Sequence, residues 1–298
     1  MNSQTLTKKL GRGICVCVLT SSALLGVAHI NAETVHAKNA EINHGTGTIT
    51  NDYTFIAQFL KETKASQVGK LGKVIKRDKG YQSLYIDPYD VKNKGAAVKY
   101  ANVGEYNGKK VDAVVTVQDW SVYSKKNAYI TLRMEKSIGI EMAGMNNAKV
   151  VTTYYEHGTD KKMKVKGFMS YGDIDAGQAV EVPKAGVDTF YLSKDSVLKV
   201  KNKEKSVLFS SQTTDDTPSN DIKTMVTGTY EGTGMTATFQ KDMSMYEGRT
   251  PETYLANEPN AYKKEIMMII SSHGGKSPFL LRTRNLLNVY PIVMKKTR

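Results

Sequence analysis

From Gly95 onward the apolar residues of this chain recur at every second position. Val111, Ala113, Val115 and Val117 alternate with Asp112, Thr116 and Gln118. Ala128, Ile130, Leu132 and Met134 alternate with Tyr129, Thr131 and Arg133; Met163, Val165, Gly167 and Met169 with Lys162, Lys164 and Lys166; Met235, Ala237 and Phe239 with Thr236 and Thr238. A period of two with one apolar and one polar face predicts half-buried antiparallel strands. Further β-rich runs lie at 148–156, 187–192, 196–200, 206–210 and 223–230. Asn107–Gly108, between two such runs, predicts a hairpin, because both residues accept positive φ. Many short strands divided by turn residues predict a mainly β chain built as an antiparallel β-sandwich.

Elsewhere the pattern changes. Residues 38–52 are polar, without apolar period, and read as a leader. Over 53–64, Phe55, Ile56, Phe59 and Leu60 are spaced i, i+1, i+4, i+5 with Asp52 ahead of them, which predicts a short N-terminal helix. Residues 65–94 are rich in Lys and Gly, with one strand expected at 83–86. The acidic stretch 213–221 reads as a loop. The expected organisation is therefore a leader and helix-containing segment over 38–94, a β-sandwich domain over 95–250, and an irregular basic tail over 251–298, read as native or as a truncated or altered continuation.

The first 37 residues read as an export signal. Lys8, Lys9 and Arg12 precede an apolar run from Ile14 to Ala28, and small-residue cleavage sites follow at Ala32 and Ala37. The run is shorter than the roughly 20 residues that span a bilayer as a helix. Both cysteines, Cys15 and Cys17, lie in this signal, so the exported chain has neither disulfides nor thiol chemistry. Three cations and one acid leave with the signal, taking the formal charge from +13 to +11. Six cations follow the last acid, Glu265, with nothing to balance them. No basic patch interleaved with aromatics appears in the body, so nucleic acid is not expected as a partner; peripheral attraction to an anionic cell wall is.

Two segments carry a family resemblance. Residues 95–120 run as a Val-x-Tyr-x-Asn-Val-Gly strand, then a Gly-Lys-x-Val-Asp strand ending at Trp120; residues 166–182 contain Phe168, the run Asp173-Ile174-Asp175, and Gly177. Over about 90–245 the chain resembles the β-sandwich modules of Gram-positive cell-surface, adhesin-type proteins. Gln178 departs from that pattern, standing where an acid is frequent. The resemblance implies a non-catalytic surface domain and names no ligand.

Candidate chemistry is sparse. Asp173, Asp175 and Glu181, spaced around Gly177, offer oxygens for calcium, or they form a solvated turn with caps on local amides. Lys99, on an apolar strand, is the lysine best placed for an internal isopeptide bond to an Asn or Asp, or it is an ordinary exposed strand lysine. His157 and Asp160 could begin an acid–base pair, or His157 is a turn residue; neither a Gly-x-Ser-x-Gly elbow nor His-Glu-x-x-His is present. Tyr154 or Tyr155 could stack on a sugar or peptide. No catalytic residue and no cofactor other than calcium are expected. The expected function is a secreted or cell-surface binding module, contributing to virulence, that recognises a host extracellular protein or glycan. A secreted hydrolase and a secreted toxin or immune modulator are the alternatives.

Overall fold

The computed structural model describes residues 53–76, 81–126, 128–193, 195–211 and 221–241, and the backbone strands at 28–29, 48–49, 266–271 and 289–293. Most of residues 1–37, expected as an export signal, most of the loop 213–221, and the tail apart from those two strands lie outside them. The strands in chain order are β1 (Ala28–His29), β2 (Thr48–Ile49), β3 (Phe55–Ile56), β4 (Lys64–Val68), β5 (Lys73–Lys76), β6 (Gln82–Ile86), β7 (Ala96–Tyr106), β8 (Lys109–Val122), β9 (Tyr129–Arg133) and β10 (Ile138–Ala143). They continue as β11 (Met145–Glu156), β12 (Val165–Tyr171), β13 (Gln178–Pro183), β14 (Val187–Ser193), β15 (Leu198–Asn202), β16 (Ser206–Ser211), β17 (Val226–Gly232), β18 (Gly234–Lys241), β19 (Ile266–Ser271) and β20 (Val289–Val293).

The mainly β, antiparallel architecture read from the alternation is present. An eight-stranded sheet runs β15-β16-β13-β18-β11-β8-β7-β4, beside two five-stranded sheets, β19-β10-β9-β6-β5 and β20-β14-β17-β12-β3, and the pair β1-β2. Asn107 and Gly108 take φ of 51° and 73° and turn β7 into β8, as their sequence predicts. Residues on β12 alternate buried and half-buried along its whole length, so one face enters the core.

Both five-stranded sheets pack on the same face of the large sheet. Tyr100 on β7 donates its hydroxyl to the Arg133 carbonyl of β9, while Tyr154, on the same face, stacks with Tyr230 of β17 at 6.2 Å. Tyr171 of β12 meets Phe239 of β18 edge-on at 5.8 Å, and Phe190 of β14 meets Phe209 of β16 at 5.0 Å. Each such aromatic contributes about 1.5–3 kcal/mol by leaving water. One buried cluster joins these residues with Phe55, Leu84 and Ile86, so residues upstream of 95 share the same core. Trp120 is buried as well, its indole N–H donated to the Pro88 carbonyl at 2.8 Å.

The helix expected over 53–64 is not formed. Phe55–Ile56 is a two-residue strand, parallel to β12 through Gly167 and Phe168, and a turn follows at 61–62. Thr54 donates its N–H to the Lys166 carbonyl and Gln58 donates to Val103. A twelve-residue helix is marginal by itself, and these non-local partners supply backbone bonds that a helix would have to make locally. In the tail, β19 pairs with β10 and β20 with β14.

Candidate functional site

The large sheet contains an opening. β13 pairs with β18 only from Gln178 opposite Lys241 to Glu181 opposite Thr238, whereas β18 runs on to Gly234 along β11. Beyond Glu181, β13 ends at Pro183, which has no N–H to contribute to a ladder. The two strands part there and leave a cleft of about 260 Å³. Its walls include Thr153, Lys162, Pro183, Met235 and Thr236, and Tyr230 of the second layer also lines it. The first half of β18 therefore has no partner on its β13 side among the described residues.

Tyr230 contributes a buried hydroxyl without a formed hydrogen bond. It and the Tyr154 hydroxyl perturb each other's titration without reaching bonding geometry. Burial raises the Tyr230 pKa far above the ordinary phenol value and pushes Tyr154 up to about 12. Both remain neutral O–H groups at any physiological pH, able to donate to a ligand. The cleft falls below the roughly 300–1,000 Å³ of pockets that enclose a drug-sized ligand. It suits one sugar ring, or one or two side chains, of a larger partner.

Tyr154 does not face solvent: it is buried against Phe55 at 5.1 Å, which removes it as an exposed stacking residue. Tyr155 is half-buried.

The most highly bonded charge is one that the alternation assigned to a polar face. Asp112 on β8 is fully buried. Its Oδ1 accepts the Asn102 N–H at 2.8 Å and lies 2.6 Å from His157 Nδ1; its Oδ2 accepts the Gly158 N–H at 3.1 Å and lies 3.1 Å from Lys99 Nζ. Asn102 sits in the irregular stretch of β7 between Tyr100 and Gly104 with φ of 61°, and Gly158 in the turn after β11 with φ of 73°. One carboxylate thus holds two left-handed backbone sites in place. Burial pushes the Asp112 pKa up, but the bonds from His157, Asn102, Gly158 and Lys99 outweigh it and hold the carboxyl down to about 2. The partner of His157 is Asp112, 45 residues away, and not Asp160. His157 is 44% exposed on a hairpin and does not line the cleft.

The isopeptide lysine read from the sequence does meet an acid. Lys99 and Asp112 face each other as a salt bridge, with the lysine side chain 31% exposed. Amide formation requires a neutral amine and a protonated carboxyl, and Asp112 is held ionised. The intact mass is expected to be that of the linear chain without a cross-link; a protein lighter by one water, with the loss mapped to a peptide joining Lys99 to Asp112, would contradict this.

The three candidate calcium ligands are not brought together. Asp173 and Asp175 are buried in the loop before β13, where Asp175 Oδ1 accepts from Gln178 Nε2 at 3.1 Å. Glu181 lies within β13 and is engaged by Lys203 at 2.6 Å and Ser206 at 2.5 Å. Burial raises its pKa, and these two bonds bring it below the ordinary value. Among the described residues no group of three or more His, Cys, Asp and Glu side chains is placed to hold a metal ion. The melting temperature is expected to be the same in calcium and in chelator, and a rise in calcium that Asp175→Ala abolishes would establish the site after all.

No family model matches the chain, and no curated protein matches it. Among solved structures, the N-terminal domain of the Streptococcus gordonii adhesin Sgo0707 superposes with a TM-score of 0.44 and 12% identity, over 74% of this chain. The match spans 64% of that chain, less than two thirds of its length.

Proposed function

We propose that the chain is an exported, non-catalytic binding module of the adhesin type, which takes one residue of a larger host protein or glycan into the cleft between β13 and β18. The observation that carries this reading is the cleft itself, where the sheet gives up a stretch of its ladder and the Tyr230 hydroxyl stays unbonded. A native fold rarely leaves a buried hydroxyl unmatched. A ligand hydroxyl or carbonyl meets that need, and the threonines around it add short hydrogen-bonding groups on rigid strands. The segment read as an export signal, the absence of cysteine after Cys17 and the resemblance over 90–245 support the same reading from the sequence.

The test is binding of the purified chain to arrays of extracellular-matrix proteins and glycans, followed by two variants on any saturable ligand. Tyr230→Phe removes a hydroxyl that interacts with the Tyr154 hydroxyl but forms no hydrogen bond, so folding stability is expected to change little while affinity falls about tenfold. Thr236→Lys fills the opening and is expected to abolish binding. A ligand whose affinity neither variant changes would remove the cleft as the site, and a blank array with folded protein would remove the binding reading.

A further inference from the structure

The chain passes from the edge of one layer to the edge of another within a few residues. β4 is the terminal strand of the eight-stranded sheet, β5 is the terminal strand of a five-stranded sheet, and residues 69–72 join them. Gly69 and Gly72 turn this link with φ of 68° and 78°. Two open edges therefore run along the same side of the sandwich. Along β4, alternate N–H and C=O groups point away from β7 and have no strand to receive them among the described residues.

The exposed apolar side chains are concentrated here. The large hydrophobics exposed among the described residues are Val68, Leu71, Val74, Tyr89 and Val91. The two short segments that carry them are tied together by the Gly72 N–H donated to Asn93 Oδ1 at 3.3 Å. Val74 is the most telling. It pairs with Leu84 and so shares its face of the sheet, yet Leu84 is fully buried while Val74 is 39% exposed. A core-facing position is open to water because nothing described covers this seam. The opposite edge of the large sheet differs: the apolar residues of β15, Leu198 and Val200, are buried, and only polar side chains remain outside.

The charge identifies what fits. Residues 61–76 contain Lys61, Lys64, Lys70, Lys73 and Lys76 against Glu62 alone, and none of these lysines is ion-paired within the described residues. A second copy would set the same cluster against itself, and the chain's own tail brings six unbalanced cations. We infer that this side of the sandwich is a docking edge for an extended acidic segment of another protein. That segment adds to β4 as a further strand, its apolar residues covering Val68, Leu71 and Val74 and its carboxylates meeting the lysines. Backbone pairing supplies affinity and the alternation supplies specificity, as in other strand-addition complexes. The edge is separated from the cleft by β7 and β8, so this inference does not rest on the cleft's function.

The probe is a fluorescein-labelled octapeptide alternating glutamate and valine, titrated into the full chain by anisotropy. A lysine–valine octapeptide and a glutamate–valine octapeptide N-methylated at alternate amides serve as controls. The expected result is saturable one-to-one binding of the acidic peptide alone, weakened by salt. The combined variant Lys64→Glu, Lys70→Glu and Lys73→Glu is expected to lower that affinity at least about tenfold and to gain affinity for the lysine–valine peptide. All three lysines are exposed, so its melting temperature should match that of the parent. Amide exchange at 65–68 is expected to slow only when the peptide is bound. Equal binding of the N-methylated peptide would show charge attraction without strand pairing and overturn the inference. So would failure of the acidic peptide to bind, or β4 amides already protected in the free chain, since another segment would then occupy the edge.

Discussion

Asp112→Ala is expected to cost about 3 kcal/mol of folding stability, because it strands groups that were built around one carboxylate. Removal leaves the Asn102 and Gly158 amides without their acceptor and leaves Lys99 and His157 facing a void. Each lost bond to a charged acceptor is worth roughly 1.5–3 kcal/mol. Lys99 and His157 are partly solvated and regain their partners in water, so the total stays near the lower end of what the two amide bonds alone are worth, about 3 kcal/mol. For a domain of this size about 2–4 °C of melting temperature is lost per kcal/mol, so a fall of about 10 °C is the expected reading. Asp112→Asn keeps the shape and should lose less. A melting temperature unchanged in both variants would show that the carboxylate does not organise the two turns.

The same residue sets an acid limit. The Asp112 pKa is lowered by folding, to about 2 from the ordinary 3.8. Its contribution is therefore present in full above pH 4 and disappears as the pH falls toward 2, amounting to about 2 kcal/mol across that window. Acid titration of the parent and of Asp112→Asn should show this difference converging toward zero at the low end. A gap that stays constant from neutral pH down to pH 2 would place the effect elsewhere.

The second large effect is expected where the chain crosses between layers. Phe55 is fully buried, with its ring 5.1 Å from that of Tyr154 and 6.3 Å from that of Tyr106. Phe55→Ala should cost about 3–5 kcal/mol, the usual range for emptying a buried aromatic site. Gly167→Ala should cost as much from the other side of the contact. A Cβ on residue 167 would lie 1.9 Å from the Phe55 carbonyl oxygen, which belongs to backbone and has no rotamer to retreat into. The methyl can be accommodated only if β3 leaves β12. A surface helix over 53–64 would predict mild effects for both variants, so thermal melts discriminate the two arrangements. Gly167→Ala with parental stability would mean that β3 does not pack on β12.

Much of the sandwich was legible because strand alternation is a local property. Val111 to Val117 and Val165 to Tyr171 each declare one apolar face without reference to any other strand, and both faces enter the core. Asn107–Gly108 declares its turn for the same reason, since positive φ is a property of the residues themselves. The segment 53–64 misled because the spacing of Phe55, Ile56, Phe59 and Leu60 matches a helical face, while the bonds that decide its backbone come from Lys166 and Val103. Strand β10 was not read from the sequence; its three positions on the second face, Gly139, Glu141 and Ala143, are as buried as Ile138, Ile140 and Met142, so it lacks a solvated face.

The functional features were less visible still. Asp112 reads as one more polar position in an alternating strand until Lys99, Asn102, His157 and Gly158 are brought around it from two neighbouring elements. The cleft depends on where β13 parts from β18, a matter of register and of Pro183, and its Tyr230 comes from a different layer. Asp173, Asp175 and Glu181 fall within nine residues, yet the turn into β13 sends Glu181 to Lys203. The sequence by itself determined the strand class, the hairpin, the absence of cysteine after Cys17 and the basic balance, all consequences of composition or of spacing within one segment. Only the tertiary structure decided which charges are buried, where the large sheet opens and which edges are left unpaired. Those features arise from contacts between residues far apart in the chain, and no local pattern records which strands will lie side by side.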